Sequence, residues 1–120
     1  MTDEDLDRID AECAMHVMGW DLADRVGCGW GKGPPVWITH SDPNPTWQDF
    51  RPTRSWSDAG EVVEKMRPTH HVLIEGYWQG RWEVQFCVPS TEYTATAETL
   101  PLAITLAALA AVGHPWKGTT

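Results

Sequence analysis

Two groups of residues carry side chains that could do chemistry. The first is His70-His71 with Glu75 and, further along, Cys87. Imidazole and carboxylate can share a metal, and thiolate with imidazole can form a nucleophile and its base. The spacing argues against both. His71 and Glu75 fall on one face of an extended segment, but four residues along a strand span about 13 Å, too far for one metal. Cys87 lies opposite Val72 in the hairpin register derived below, where it reads as a small buried hydrophobe. His16, His40 and His114 are scattered without ligand spacing. No catalytic residue, metal site or cofactor is therefore assigned, and a nucleotide hydrolase using His70, His71 or Glu75 stands as the third reading. The run GCGWGKG at Gly27 to Gly33 resembles a phosphate-cradling loop in composition alone, since Lys32 is followed by Gly33 and Pro34 where Ser or Thr should stand. It reads as a surface loop.

The second group sets aromatic beside basic residues. Arg51, Arg54 and Trp56 precede or open a helix, and Tyr77, Trp78 and Arg81 cluster at a hairpin tip. A helix N-terminus offers free N–H groups to anions, indole stacks on a base, and arginine holds phosphate. These six residues form the expected ligand-binding set, suited to a small nucleotide-like molecule. The chain has 8 tryptophans in 120 residues, more than one core easily buries. The competing reading is that they fill the core edge or an interface with a host protein or a second copy of the chain, as in a homo-oligomer.

Composition narrows the partners. Lys plus Arg number 9 against 17 acids, for a net charge of −8. That argues against bulk nucleic acid and membrane surfaces, which are bound mainly through excess positive charge. The three cysteines, Cys13, Cys28 and Cys87, show no CxxC spacing and read as reduced thiols of a cytosolic protein. The acidic start MTDEDLDRIDAE lacks the apolar stretch of a secretory signal, and no run approaches membrane-spanning length.

The elements that must position these residues follow from spacing. Thr2 or Asp3 caps a helix reaching about Met18, with Leu6, Ile9, Cys13, Ala14 and Val17 as its apolar stripe and Gly19 as its C-cap. Glycines and prolines from Trp20 to Pro45 impose loops, the least rigid part of the fold, interrupted by a short strand at Val36 to His40. Ser55-Trp56-Ser57-Asp58 has capping-box spacing and opens a helix whose apolar side is Val62, Val63 and Met66. His70 to Trp78 and Arg81 to Val88 flank Gln79-Gly80 as a two-residue hairpin. Trp78 then lies opposite Arg81 and Tyr77 opposite Trp82, and helices cover both faces. Tyr93 to Ala97 alternates as a third strand. Thr99, Leu100 and Pro101 start a helix through LAITLAALAAV, stopped by Gly113 and Pro115.

Three of these segments, VMGW at Val17 to Trp20, SWSDAGEVVEKM at Ser55 to Met66, and YTATAETLPLAITLAALAAV at Tyr93 to Val112, resemble the phage ABA sandwich domain family in order and spacing. The resemblance implies an α+β fold, a single three-layer α-β-α sandwich over residues 1–120 with a frayed tail at 117–120. Its sheet is mainly antiparallel around the central hairpin 70–88, with N-terminal, middle and C-terminal helices. It further implies a phage-encoded, non-enzymatic accessory protein of the host cytoplasm. Combined with the tryptophan surplus, the expected role is binding of a small ligand, in its sharpest form sequestration of a host immune nucleotide signal. The alternative is a protein-interaction module.

Overall fold

In the computed structural model, which describes residues 2–22, 36–38, 47–77 and 80–116, each helix begins at the cap its sequence provides. Helix α1, Asp3–His16, is opened by Thr2, whose hydroxyl accepts from the Asp5 amide at 3.1 Å while the Asp5 carboxylate accepts from the Thr2 amide at 3.3 Å. Three acids in its first turn meet the positive end of the helix dipole. Helix α2, Trp56–Met66, is capped by Ser55, which accepts from the Asp58 amide at 3.2 Å. The reciprocal half of the expected capping box is absent: Asp58 accepts instead from the Arg51 amide at 2.8 Å, pinning the turn that precedes the helix. Helix α3, Leu100–Ala111, starts at Thr99 with Pro101 in its first turn. Gly113, at φ +87°, follows its end, in a conformation that other residues rarely adopt.

The main sheet is antiparallel, in the order β4 (His71–Tyr77), β5 (Arg81–Val88), β6 (Thr91–Ala97). A smaller antiparallel sheet joins β1 (Asp21–Leu22), β2 (Val36–Ile38) and β3 (Trp47–Asp49). The short strand expected from Val36 is β2; β1 falls where loop was expected, and no strand was expected at β3. Each is two or three residues long, too short for a period-2 pattern to show. The Gly27 to Gly33 run lies outside the described residues.

The architecture is the expected α+β sandwich, with three helices packed with a three-stranded antiparallel sheet. Helix α3 lies against β5 and β6, and α1 and α2 in turn lie against α3. The placement follows from composition. Helix α3 is apolar all round and buries Ala103, Ile104, Ala107, Ala108 and Leu109, whose small residues permit close approach on several sides. Its one buried hydroxyl, Thr105, donates to the Pro101 carbonyl at 2.8 Å, so no polar group is stranded there. Ile9, Cys13 and Ala14 of α1, Ala59, Val62 and Met66 of α2, and Val84, Phe86 and Ala97 of the sheet complete one core.

The hairpin register differs from the two-residue turn expected. Tyr77 pairs with Arg81, Gly76 with Trp82, Ile74 with Val84 and Val72 with Phe86. Three residues, 78–80, therefore separate the strands. Gly80 has φ +86° and donates to the Tyr77 carbonyl at 2.9 Å, as the glycine of a three-residue hairpin should. A one-residue slip reverses a strand's faces. Val72, Ile74 and Gly76 thus share the helix-side face with Trp82, Val84 and Phe86, whereas His71, Leu73, Glu75 and Tyr77 lie on the outer face with Arg81, Glu83, Gln85 and Cys87. Cys87 is consequently opposite His71 rather than Val72, and is half-buried rather than buried. The outer face expected to carry a helix exposes Leu73 at 45% and Tyr77 at 45%.

Candidate functional site

A cleft of about 490 Å³ opens where α2, α3 and β5 begin. Arg54 and Trp56 line it from the α2 entrance, Trp82 from the start of β5, Glu98 to Leu102 from the start of α3, and Leu6 from α1. Its size is within the range of small-molecule sites. The two indoles meet edge to face, centroids 6.4 Å apart and planes at 85°. Trp56 is 64% exposed, whereas Trp82 is half-buried. Gly76 makes the seat for Trp82: a Cβ there would stand 3.0 Å from Cζ3 of the indole. The strand therefore lets the ring lie close on the backbone at Gly76.

Beneath the cleft is a charged lock. Arg54 Nη2 reaches Asp7 Oδ1 at 2.5 Å and Asp10 Oδ2 at 2.8 Å. The other oxygen of Asp10 accepts from the Thr53 amide at 2.9 Å. One guanidinium thus ties α1 to the turn before α2. Burial pushes the Asp10 carboxyl above its ordinary value, against the lowering influence of the Thr53 amide and of Arg54. With two acids on Arg54 and Glu98 nearby, the cleft is not a cationic anion trap. Its accessible surface is partly aromatic, from Trp56 and Trp82.

The six residues expected to bind ligand are divided by the fold. Arg54 and Trp56 come together at the cleft. Arg51 adjoins the same turn, its amide held by Asp58. Tyr77 and Arg81 sit on the outer face of the sheet, away from Trp82, and the Tyr77 hydroxyl donates to Glu83 at 3.0 Å and Glu75 at 3.3 Å. Trp78 lies outside the described residues. Trp82 joins the cleft although the sequence pointed to its neighbours; the signal for it was the register, since Gly76 opposite a tryptophan marks a ring over a bare backbone. Of the other tryptophans, Trp20 packs edge-on against Phe50 at 4.8 Å and Trp116 packs against the core.

A second, shallower depression at the opposite end of β5 contains His70, His71 and Cys87. Thr69 holds the His70 ring at 2.8 Å from Nδ1, and the ring lies edge-on to Phe86 and Tyr93. Among the described residues no group of three or more His, Cys, Asp or Glu could hold a metal. Nor is any described helix long and apolar enough to cross a membrane.

The fold is an α+β sandwich with a tryptophan-lined cleft at its helix entrances. The chain belongs to the phage ABA sandwich domain family, whose sequence profile matches residues 12–109. It is also similar to a phage protein from Bacillus cereus ATCC 14579 known from a 2.0 Å crystal structure, with a TM-score of 0.68 and 21% identity over 92% of this chain and 90% of that one. That likeness concerns the fold. No curated protein matches.

Proposed function

We propose that this phage protein is a non-enzymatic accessory factor that binds a small ring-bearing ligand on the exposed face of Trp56, beside Trp82. In its sharpest form it sequesters a nucleotide immune signal in the host cytoplasm. The supporting observation is the pair of indoles at one cleft, the more exposed of which touches Trp82 only by an edge and leaves most of its surface, 64%, open. Stacking a base on such a surface is worth about 1–3 kcal/mol. Because Arg54 is already matched by Asp7 and Asp10, the ring supplies most of the affinity and the phosphate little.

Titration with cyclic oligonucleotides and cyclic ADP-ribose isomers, read by calorimetry and tryptophan quenching, tests this reading. Binding is expected to at least one, with the molecule recovered unchanged after denaturation. Trp56→Ala should weaken it about 5-fold to 150-fold, the equivalent of that stacking energy, without lowering the melting temperature. Failure of every ligand to bind, or recovery of a cleaved product, overturns the proposal.

A further inference from the structure

Strand β4 is an edge of the main sheet, and no described strand pairs with its far side. Alternate residues along it turn unpaired N–H and C=O groups outward, a template that proteins ordinarily blunt with lysine, proline or a bulge. HVLIEGY contains none of these. Instead it exposes Leu73 at 45%, Ile74 at 43% and Tyr77 at 45%, three of the five exposed large hydrophobics among the described residues. The opposite edge, β6, is different. Its outward residues Glu92, Thr94 and Thr96 are polar, and α3 covers its other side.

From this asymmetry we infer that β4 pairs with β4 of a second copy, antiparallel about a two-fold axis through Leu73. The strand's own sequence selects that register. Centring on Leu73 places Leu73 opposite the partner's Leu73, Val72 opposite the partner's Ile74, and His71 opposite the partner's Glu75. Apolar residues then meet apolar residues on both faces, and each imidazole faces a carboxylate twice over by symmetry. Centring on Ile74 sets Leu73 against Glu75 and leaves Val72 facing Gly76. Centring on Glu75 brings two carboxylates together, which disfavours it. Only the Leu73 axis satisfies every side chain from His71 to Glu75. The pairing joins the two sheets into one of six strands, with the helices of both copies on the same side, and removes the open edge.

Light scattering on a sizing column should give twice the 13.5 kDa chain mass. Leu73→Lys or Ile74→Lys should each raise the dissociation constant at least tenfold while leaving the circular dichroism spectrum and melting of the monomer intact, since both side chains are exposed. His71→Glu should likewise separate the copies, and adding Glu75→Lys to it should restore the dimer. In a Cys87→Ser background, Leu73→Cys should cross-link across the axis under mild oxidation, whereas Glu75→Cys, about 13 Å from its counterpart, should stay at the parent level. A monomer at 100 µM, a dimer indifferent to Leu73→Lys, or equal cross-linking at both positions overturns the inference. Survival of the dimer in His71→Glu with loss in the double variant would overturn the register.

Discussion

Replacing Arg54 by Met separates the role the sequence suggests, holding phosphate, from the one the structure gives it, locking α1 to the turn before α2. The methionine keeps the aliphatic stem and removes the fork. Asp10, whose side chain is 5% exposed, then retains the Thr53 amide and loses its countercharge. Breaking a fully buried pair costs about 3–5 kcal/mol. The Arg54 side chain is 30% exposed, so water can partly replace it, and about 2 kcal/mol is the reasoned loss. For a chain of this length that lowers the melting temperature by about 8 °C. The bond to Asp7, whose side chain is 56% exposed, contributes little, so Asp7→Asn should cost under about 0.5 kcal/mol. Urea denaturation of the wild type, Arg54→Met, Asp7→Asn and Asp10→Asn, with the Arg54→Met/Asp10→Asn double variant, gives the coupling directly. Below the melting transition, Arg54→Met should change ligand affinity less than threefold. A variant as stable as the wild type that loses binding would refute the lock and make Arg54 a phosphate holder.

The remaining expectations concern the same neighbourhood. Because the folded-state value of Asp10 is raised, its contribution to stability is complete below the unfolded value of about 3.9 and is lost as pH rises through the raised value. The advantage of the wild type over Asp10→Asn in urea midpoint should therefore shrink from pH 4 to pH 7, and an advantage that grows would contradict the dominance of burial. Gly76→Ala should leave stability within about 0.5 kcal/mol, as the gain of about 0.5–1 kcal/mol from replacing a strand glycine offsets displacement of the Trp82 ring. The same change should alter the near-ultraviolet circular dichroism and weaken ligand binding; an unaltered spectrum would mean the ring does not rest there.

The helices were legible because each is announced by its own chemistry: Thr2, Ser55 and Thr99 as caps, and a stripe or a wholly apolar run behind each. The third strand was legible from the alternation of Tyr93, Ala95 and Ala97 with threonines. The hairpin register was not. Val72, Leu73 and Ile74 are apolar in succession, so β4 carries no period-2 pattern to fix which face turns inward. The choice fell to the turn, where a glycine serves two-residue and three-residue loops alike. That one-residue difference took Tyr77 off the face that carries Trp82 and set Gly76 there instead, while Arg81, next to Trp82 in the strand, faces away from it in either register; this is why the candidate site was half found. Arg54 posed another problem. Its partners Asp7 and Asp10 lie more than forty residues earlier, on a helix whose acids already have a local explanation in the dipole.

The position of α3 also bears on how the chain is made. The helix that touches the sheet, α1 and α2 is the last of the described elements to be synthesised. At about 5–20 residues per second, about one to five seconds pass in which the growing chain has a finished hairpin but lacks the helix that lies against it. During that interval the inner face of the sheet and the open edge of β4 are both uncovered, the hazard for unwanted strand pairing is greatest, and a nascent chain halted before Thr99 would depend on chaperones to stay soluble.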